Sequence, residues 1–168
     1  MTRVYVGLGS NLGDRAARIY GGLRGCVEHG LRLHDLSPLY ETEAADGAPA
    51  QPLFLNAVAA LETGLAPGVV LRILQLVEES EGRERPARNA PRTLDLDLLL
   101  HGSTALRTES LVLPHPRMTE RRFVLEPLAD LAPDLVIPGG DRTVAELLDA
   151  LVEREGPRAA AVRRFAPA

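Results

Sequence analysis

The chain opens on an alternation of apolar and small positions. Val4, Val6 and Leu8 alternate with Tyr5 and Gly7, the period of a strand, and predict a first strand from Arg3 to Gly9. Ser10-Asn11-Leu12-Gly13-Asp14 interrupts it, with Asp14 placed to cap a helix from Arg15 to about Glu28. Ile19, Leu23 and Val27, at i, i+4 and i+8, supply that helix with an apolar stripe, and Gly30 ends it. Leu31 to Tyr40 reads as a second strand through Leu31, Leu33 and Leu39. Glu41 to Pro52 is a loop rich in Ala, Gly and Pro, of a length usually tied to a task.

Phe54 to Thr63 is the third predicted strand. Leu65-Ala66-Pro67 starts a second helix, in which Val70, Leu71, Leu74, Val77 and Glu78 recur at helical spacing before Gly82 closes it. A cationic, proline-bounded loop from Arg83 to Pro91 follows. Strict alternation returns in the strand Arg92 to Leu100, as far as Asp97, then gives way to a leucine run before His101-Gly102. Ser103 to Leu111 is a short excursion leading to Leu113-Pro114-His115-Pro116-Arg117. Phe123 to Asp130 and Val144 to Glu155 read as short helices, and the Ala/Arg/Pro-rich tail after about residue 156 as loosely held. The order β-α-β-β-α-β is the ferredoxin-like split arrangement, an α+β fold with an antiparallel sheet and helices on one face. With no internal repeat and no linker, residues 1–168 read as a single domain carrying long mobile loops.

Composition narrows the chemistry. The chain is 45% hydrophobic and 25% charged, as soluble globular proteins are, and its 4% aromatic content without Trp leaves the core to Leu, Val and Ala. Cys26 is the single cysteine, which excludes an internal disulfide and a cysteine metal cluster and fits a reducing cytosol. On a helix it reads as a buried small hydrophobe. The first apolar run, Val4 to Leu8, is too short for a signal peptide or membrane span, so the expected location is the cytoplasm. A net charge of -4 argues against a general nucleic-acid footprint. Every basic Lys/Arg position is arginine, which removes Schiff-base chemistry and a Walker-type lysine.

In a strand, residues i and i+2 share a face, so Asp95 and Asp97 point one way while Leu94, Leu96 and Leu98 point the other. Such a carboxylate pair is either the solvated face of an edge strand or a hard-oxygen site for Mg²⁺ bridging to phosphates. Arg83, Arg85, Arg88 and Arg92 precede it; His115, Arg117, Arg121 and Arg122 follow it. The arginines form a solvated loop or a guanidinium clamp on phosphate. His115, set between prolines, is structural or a phosphate donor beside Arg121. Phe54 and Phe123 are core residues or stack on a flat heterocycle, with Asn56 on the Phe54 face able to read its edge. Gly7-Leu8-Gly9-Ser10-Asn11-Leu12-Gly13 lacks the dinucleotide spacing, since Leu12 stands where the third glycine belongs. It reads instead as a glycine-rich strand-to-helix turn. A non-catalytic ligand-binding module and a dinucleotide-dependent oxidoreductase are the rival readings.

At these residues the chain strongly resembles 6-hydroxymethyl-7,8-dihydropterin pyrophosphokinases. The likeness rests on Tyr5-Val6-Gly7-Leu8-Gly9-Ser10-Asn11-Leu12, Phe54-Leu55-Asn56-Ala57, Glu78 through Gly82-Arg83, Pro91-Arg92-Thr93-Leu94-Asp95-Leu96-Asp97, and Leu113-Pro114-His115-Pro116-Arg117 with Arg121 and Phe123. The resemblance implies transfer of the diphosphate of ATP to the pterin hydroxymethyl group, with release of AMP, in folate biosynthesis. It implies Asp95 and Asp97 as ligands of two Mg²⁺ ions and, with Arg83 and Arg92, as catalytic residues. ATP would be bound by Gln75, Glu78, Arg85, Arg92, Leu98, His115 and Arg121, and the pterin by Thr42, Glu43, Ala45, Phe54, Asn56 and Phe123. The expected partners are these two small molecules, with no nucleic acid, no membrane and a monomeric state. Asn89-Ala90 stands where many members carry Trp-Gly, and Ser110 where some carry arginine.

Overall fold

The computed structural model describes residues 1–43, 51–82, 93–156 and 162–166. Strand β1 (Thr2–Ser10) lies between β4 (Phe54–Thr63) and β5 (Asp95–His101), antiparallel to both. The other side of β4 is shared. Strand β2 (Arg32–Leu36) pairs with its C-terminal half, from Arg32↔Glu62 to Leu36↔Ala59. Strand β3 (Tyr40–Thr42) pairs with its start, from Tyr40↔Asn56 to Thr42↔Phe54. With α1 (Arg15–Glu28) and α2 (Pro67–Ser80) as crossovers, this is the ferredoxin-like order the alternation predicts.

The predicted strand from Leu31 to Tyr40 is thus two strands, and Ser37-Pro38 divides them. Ser37 donates its N–H to Val58 O and accepts the Val58 N–H on its hydroxyl, both at 2.9 Å, so the side chain replaces a ladder bond. Pro38 has no N–H with which to continue. On β2 Leu33 is exposed, whereas Leu31 and Leu39 are buried as expected.

Asp14 caps α1 by accepting the Ala17 N–H at 3.1 Å. The buried stripe is Ile19, Gly22, Leu23 and Cys26, and Val27 is 44% exposed. At 3.6 residues per turn, i+8 lies about 80° round the helix from i, whereas i+7 nearly eclipses it. Burial pushes the Cys26 thiol up to about 12, which leaves it inert.

Helices cover both faces of the sheet, not one. On the first face α1 and α2 pack against Val4, Val6, Leu8, Ala57, Ala59, Leu94, Leu96 and Leu98. On the second, α3 (Arg122–Leu131) and α4 (Val144–Glu155) cover Tyr5, Val58, Ala60, Leu99 and Leu100. Strands β1 and β4 are apolar on both sides, so a single helical layer would leave half of them wet. A register shift between Tyr5 and Val6 accounts for the leucine run. Leu98 faces the first layer, while Leu99 and Leu100 both face the second.

After His101 the chain makes a two-stranded ribbon, β6 (Leu106–Arg107) with β7 (Val112–Leu113), then a short 3₁₀ turn, Met118–Glu120. Of the segment after residue 156, the described residues are 162–166. Val162–Arg164 forms an edge strand, β8, on β3, and Phe165 packs on the first-face core.

Candidate active site

The second face of the sheet is covered by α3 and α4 over only part of its area. Where that cover stops, β1 presents two glycines. Gly9 pairs with Asp95 on one side and Asn56 on the other, and Gly7 pairs with Asp97 and Val58. By the two-residue period, Asp95, Asp97, Phe54 and Asn56 all project from this face, opposite the buried leucines. The bare backbone of β1 therefore forms a floor between two carboxylates and an amide, with about 10 Å, two strand spacings, between Asp95 and Asn56. Gly7 and Gly9 are strand residues, not parts of a turn. Only Gly13, at φ 69°, belongs to the strand-to-helix turn. The alternation contained Gly7 and Gly9 in phase with Asp95 and Asp97, but nothing in the sequence aligned the two strands.

On the β4 side Asn56 is 9% exposed and donates from Nδ2 to Thr42 Oγ1 at 2.8 Å. Its Oδ1 is left over Gly9, 2.9 Å from where a Cβ on that glycine would stand, and Phe54 lies 3.8 Å from the same point. Asn11 donates to Gln51 Oε1 and Pro52 O, both at 3.2 Å, and so ties the end of β1 to the segment entering Phe54. Thr42 is buried and Glu43 exposed at the end of β3.

The loop after β7 brings in the cations. The His115 N–H bonds Leu99 O at 2.9 Å, which hooks this loop onto β5. His115 Nδ1 accepts the Arg117 N–H at 3.2 Å, so the neutral ring carries its proton on Nε2. Burial lowers the His115 pKa, and the charges of Arg121 and Arg117 add to this against the pull of Asp95. The ring thus sits within the field of both the carboxylate and the arginines, as a neutral N–H donor. Arg121 Nε is buried and has no hydrogen-bond partner among the described residues, and its guanidinium lies 5.5 Å over the Phe123 ring at the start of α3. Such an orphaned cationic donor suits a phosphate oxygen. Ser110 sits exposed in the β6–β7 turn.

The residues expected on the nucleotide divide. Glu78 is 2% exposed on α2, and its carboxylate accepts the Leu96 N–H at 2.9 Å, between the two aspartates. Its bond to β5 had no signal in the sequence beyond a carboxylate in an apolar stripe. The Leu98 side chain is in the first-face core, so any nucleotide contact there runs through its backbone, whose N–H shares the outward direction of Leu96 N–H. Gln75 is half-buried on α2. Ala45, Arg83, Arg85, Arg88, Arg92 and the Asn89-Ala90 pair lie outside the described residues.

Asp95 and Asp97 are half-buried, and among the described residues no group of three or more potential metal ligands exists. Two hard carboxylates on one face fit Mg²⁺, which takes its remaining ligands from water and substrate phosphates rather than from a protein cage.

The model of the family described as 7,8-dihydro-6-hydroxymethylpterin-pyrophosphokinase (HPPK) matches residues 5–133. The chain belongs to that family. It is 49% identical over 149 residues to the 2-amino-4-hydroxy-6-hydroxymethyldihydropteridine pyrophosphokinase of Pseudomonas aeruginosa, covering 88% of this chain and 91% of that one. To the protein of the same name from Methylorubrum extorquens it is 45% identical over 153 residues, covering 88% and 92%. It is also 38% identical over 152 residues to the folic acid synthesis protein fol1 of Pneumocystis carinii, of whose length it spans 20%. Among solved structures, an HPPK-DHPS complex with substrates superposes with a TM-score of 0.73 at 13% identity, over 92% of this chain and 44% of that one. The chain spans less than half of that longer protein, and at this identity the likeness is one of fold. The strand order of this chain is the one the β-α-β-β-α-β reading predicted, with helices on both faces rather than one.

Proposed function

We infer that the chain transfers the diphosphate of ATP to the hydroxymethyl oxygen of 6-hydroxymethyl-7,8-dihydropterin, releasing AMP, as a step of folate biosynthesis. The observation that carries the reading is the shared floor: Asp95 and Asn56 flank Gly9 on one face of the sheet. A flat heterocycle set against Asn56 Oδ1 and Phe54 spans the width of β1, which brings its side chain to the carboxylates.

In the reaction the pterin hydroxyl oxygen forms a bond to the β-phosphorus and gives up its proton to solvent, while the bond from that phosphorus to the AMP oxygen breaks. Little covalent work falls to the protein, so positioning and charge neutralisation dominate the rate. Asn56, fixed by Thr42, orients the ring. His115 Nε2–H and the half-buried Arg121 guanidinium hold phosphate oxygens, and Arg83 and Arg92 are proposed to complete the clamp. Gln75, Glu78, Arg85 and the Leu98 backbone are assigned to the nucleoside side of ATP, and Thr42, Glu43, Ala45 and Phe123 to the pterin side. Asp95 and Asp97 would hold two Mg²⁺ ions, which supply neutralisation of the polyphosphate charge. We read the chain as one catalytic domain, monomeric and cytoplasmic. Among the described residues no helix is long and apolar enough to cross a membrane.

The test is Asp97→Ala. Its side chain is half-buried at the floor rather than in either core cluster, so the variant should melt near the parent temperature. Pterin-dependent AMP formation should fall by at least about a thousandfold. A variant that keeps its activity, or one that is unfolded at room temperature, would remove Asp97 from the metal site.

A further inference from the structure

The family model stops at residue 133, yet the chain returns to the site beyond it. Strand β8 pairs with β3 through Tyr40↔Arg164, Glu41↔Arg163 and Thr42↔Val162. These same three β3 residues border the pterin side of the floor, since Tyr40 pairs with Asn56 and Thr42 with Phe54. Both faces of the β3–β8 ribbon are fastened. On the second face, Arg164 reaches Asp130 Oδ1 at 2.8 Å and donates from Nε to the Tyr40 hydroxyl at 3.3 Å, and that hydroxyl bonds Asp130 of α3. On the first face, Arg15 of α1 holds Glu41 and Leu53 O, each at 2.8 Å, and lies 5.6 Å over the Phe165 ring. The Phe165 N–H closes the end of the ribbon on Leu39 O at 2.7 Å.

We propose that the C-terminal strand β8 is a positioning element of the pterin subsite. It acts through β3 and touches no substrate. Three-residue β3 has one short pairing with β4, too little to hold Thr42 still, and β8 supplies its second edge. Thr42 then fixes the Asn56 amide, and Asn56 presents Oδ1 to the ring. The nucleotide end of the site, on β5, lies at the opposite edge of the sheet order, and among the described residues β8 pairs only with β3. The inference rests on the assignment of Asn56 and Thr42 to the pterin.

Because the Phe165 N–H faces β3, the two-residue period turns the Arg163 N–H toward β3 and the Val162 N–H toward solvent. Proline at 163 removes a ladder bond, whereas proline at 162 sits on the open side of an edge strand, where it is tolerated. Pterin affinity would be titrated with a saturating non-hydrolysable ATP analogue, and affinity for that analogue measured alone. Arg163→Pro should weaken pterin binding about tenfold, with analogue binding and Val162→Pro near the parent values. Arg164→Ala, at a largely exposed side chain, should move the same way by several-fold, with Arg164→Lys partly restoring it. Unchanged pterin affinity in both Arg163→Pro and Arg164→Ala, or equal loss of both ligands, overturns the proposal. Asn56→Ala separates it from the reading beneath: if that variant binds pterin as the parent does, the subsite assignment has failed, whatever β8 does.

Discussion

Adding one methyl group to the floor is the sharpest test of the site. In Gly9→Ala the new Cβ would stand 2.9 Å from Asn56 Oδ1, closer than side-chain carbons are found to such an oxygen. Ordinary carbon–oxygen contacts begin at about 3.3 Å, so the amide must retreat by about 0.4 Å or turn. It has little freedom to do either. Asn56 is 9% exposed, and its Nδ2 is committed to Thr42 Oγ1 at 2.8 Å. Rotating the amide leaves a buried donor unmatched, at a cost of about 1–3 kcal/mol. If that cost falls on the bound state, pterin affinity drops about 5- to 150-fold. Gly7→Ala is the internal comparison: its Cβ meets nothing nearer than Leu99 Cδ1 at 3.7 Å, an ordinary contact, so its stability should match the parent. Fluorescence titration with the pterin, alongside titration with an ATP analogue, reads the effect. Gly9→Ala binding pterin with parental affinity would show that Asn56 does not present its oxygen over this strand, and the floor model would be wrong.

Two further outcomes follow from the buried and titrating groups. Glu78→Ala should lower unfolding free energy by about 1–3 kcal/mol, because the buried Leu96 N–H loses its acceptor, and melting should fall by several degrees while Glu78→Gln recovers most of it. Equal melting of the two variants would mean that the carboxylate bond to β5 is not what holds the strand. His115 should titrate below its ordinary 6.5 in the free protein, since burial and then Arg121 oppose the charged ring. As pH falls the unfolded chain takes the proton first, so the neutral ring's contribution to stability is complete above about 6.5 and is lost through the folded midpoint below it. A histidine NMR titration checks this: ATP should raise the midpoint, and a free-protein midpoint at or above 6.5 would contradict the neutral-donor role.

The elements legible in the chain are those whose pattern is local. Phe54–Thr63 and Arg15–Glu28 fall where alternation and the Asp14 cap put them. What was hidden depends on distant partners. Ser37-Pro38 breaks a strand only because Val58 is there to be bonded by the serine. The three residues of β8 carry no apolar alternation, and their hold comes from Tyr40 and Asp130, with Arg15 over the adjoining Phe165, all remote in the chain. Helices α3 and α4 were visible as helices, but their place on the second face follows from β1 and β4 being apolar on both sides. Within the candidate site, Asp95, Asp97, Asn56 and His115 stood out by residue type, each beside a structural alternative, and the family resemblance gave them roles. That Glu78 spends an oxygen on β5, and that the Leu98 side chain faces the core, required the register.

Register is also what joins the two halves of the proposed chemistry. Asn56 and Asp95, distant in the chain, become neighbours across one strand because both pair with Gly9. A one-residue slip of β5 would turn Asp95 and Asp97 into the layer now filled by Leu94, Leu96 and Leu98, among Val6, Leu8 and Ile19. Burying two unpaired carboxylates there costs several kcal/mol each, so the slipped pairing is disfavoured far beyond the energy of its ladder bonds. The three leucines therefore aim the carboxylates at the floor as well as filling the core. The bulge after Leu98 then turns Leu99 toward the same face, where it lies 3.7 Å from the Cβ position of Gly7 and walls the floor beside Asp97. The alternation that made this strand readable and the break that made its end ambiguous are both parts of how the site is built.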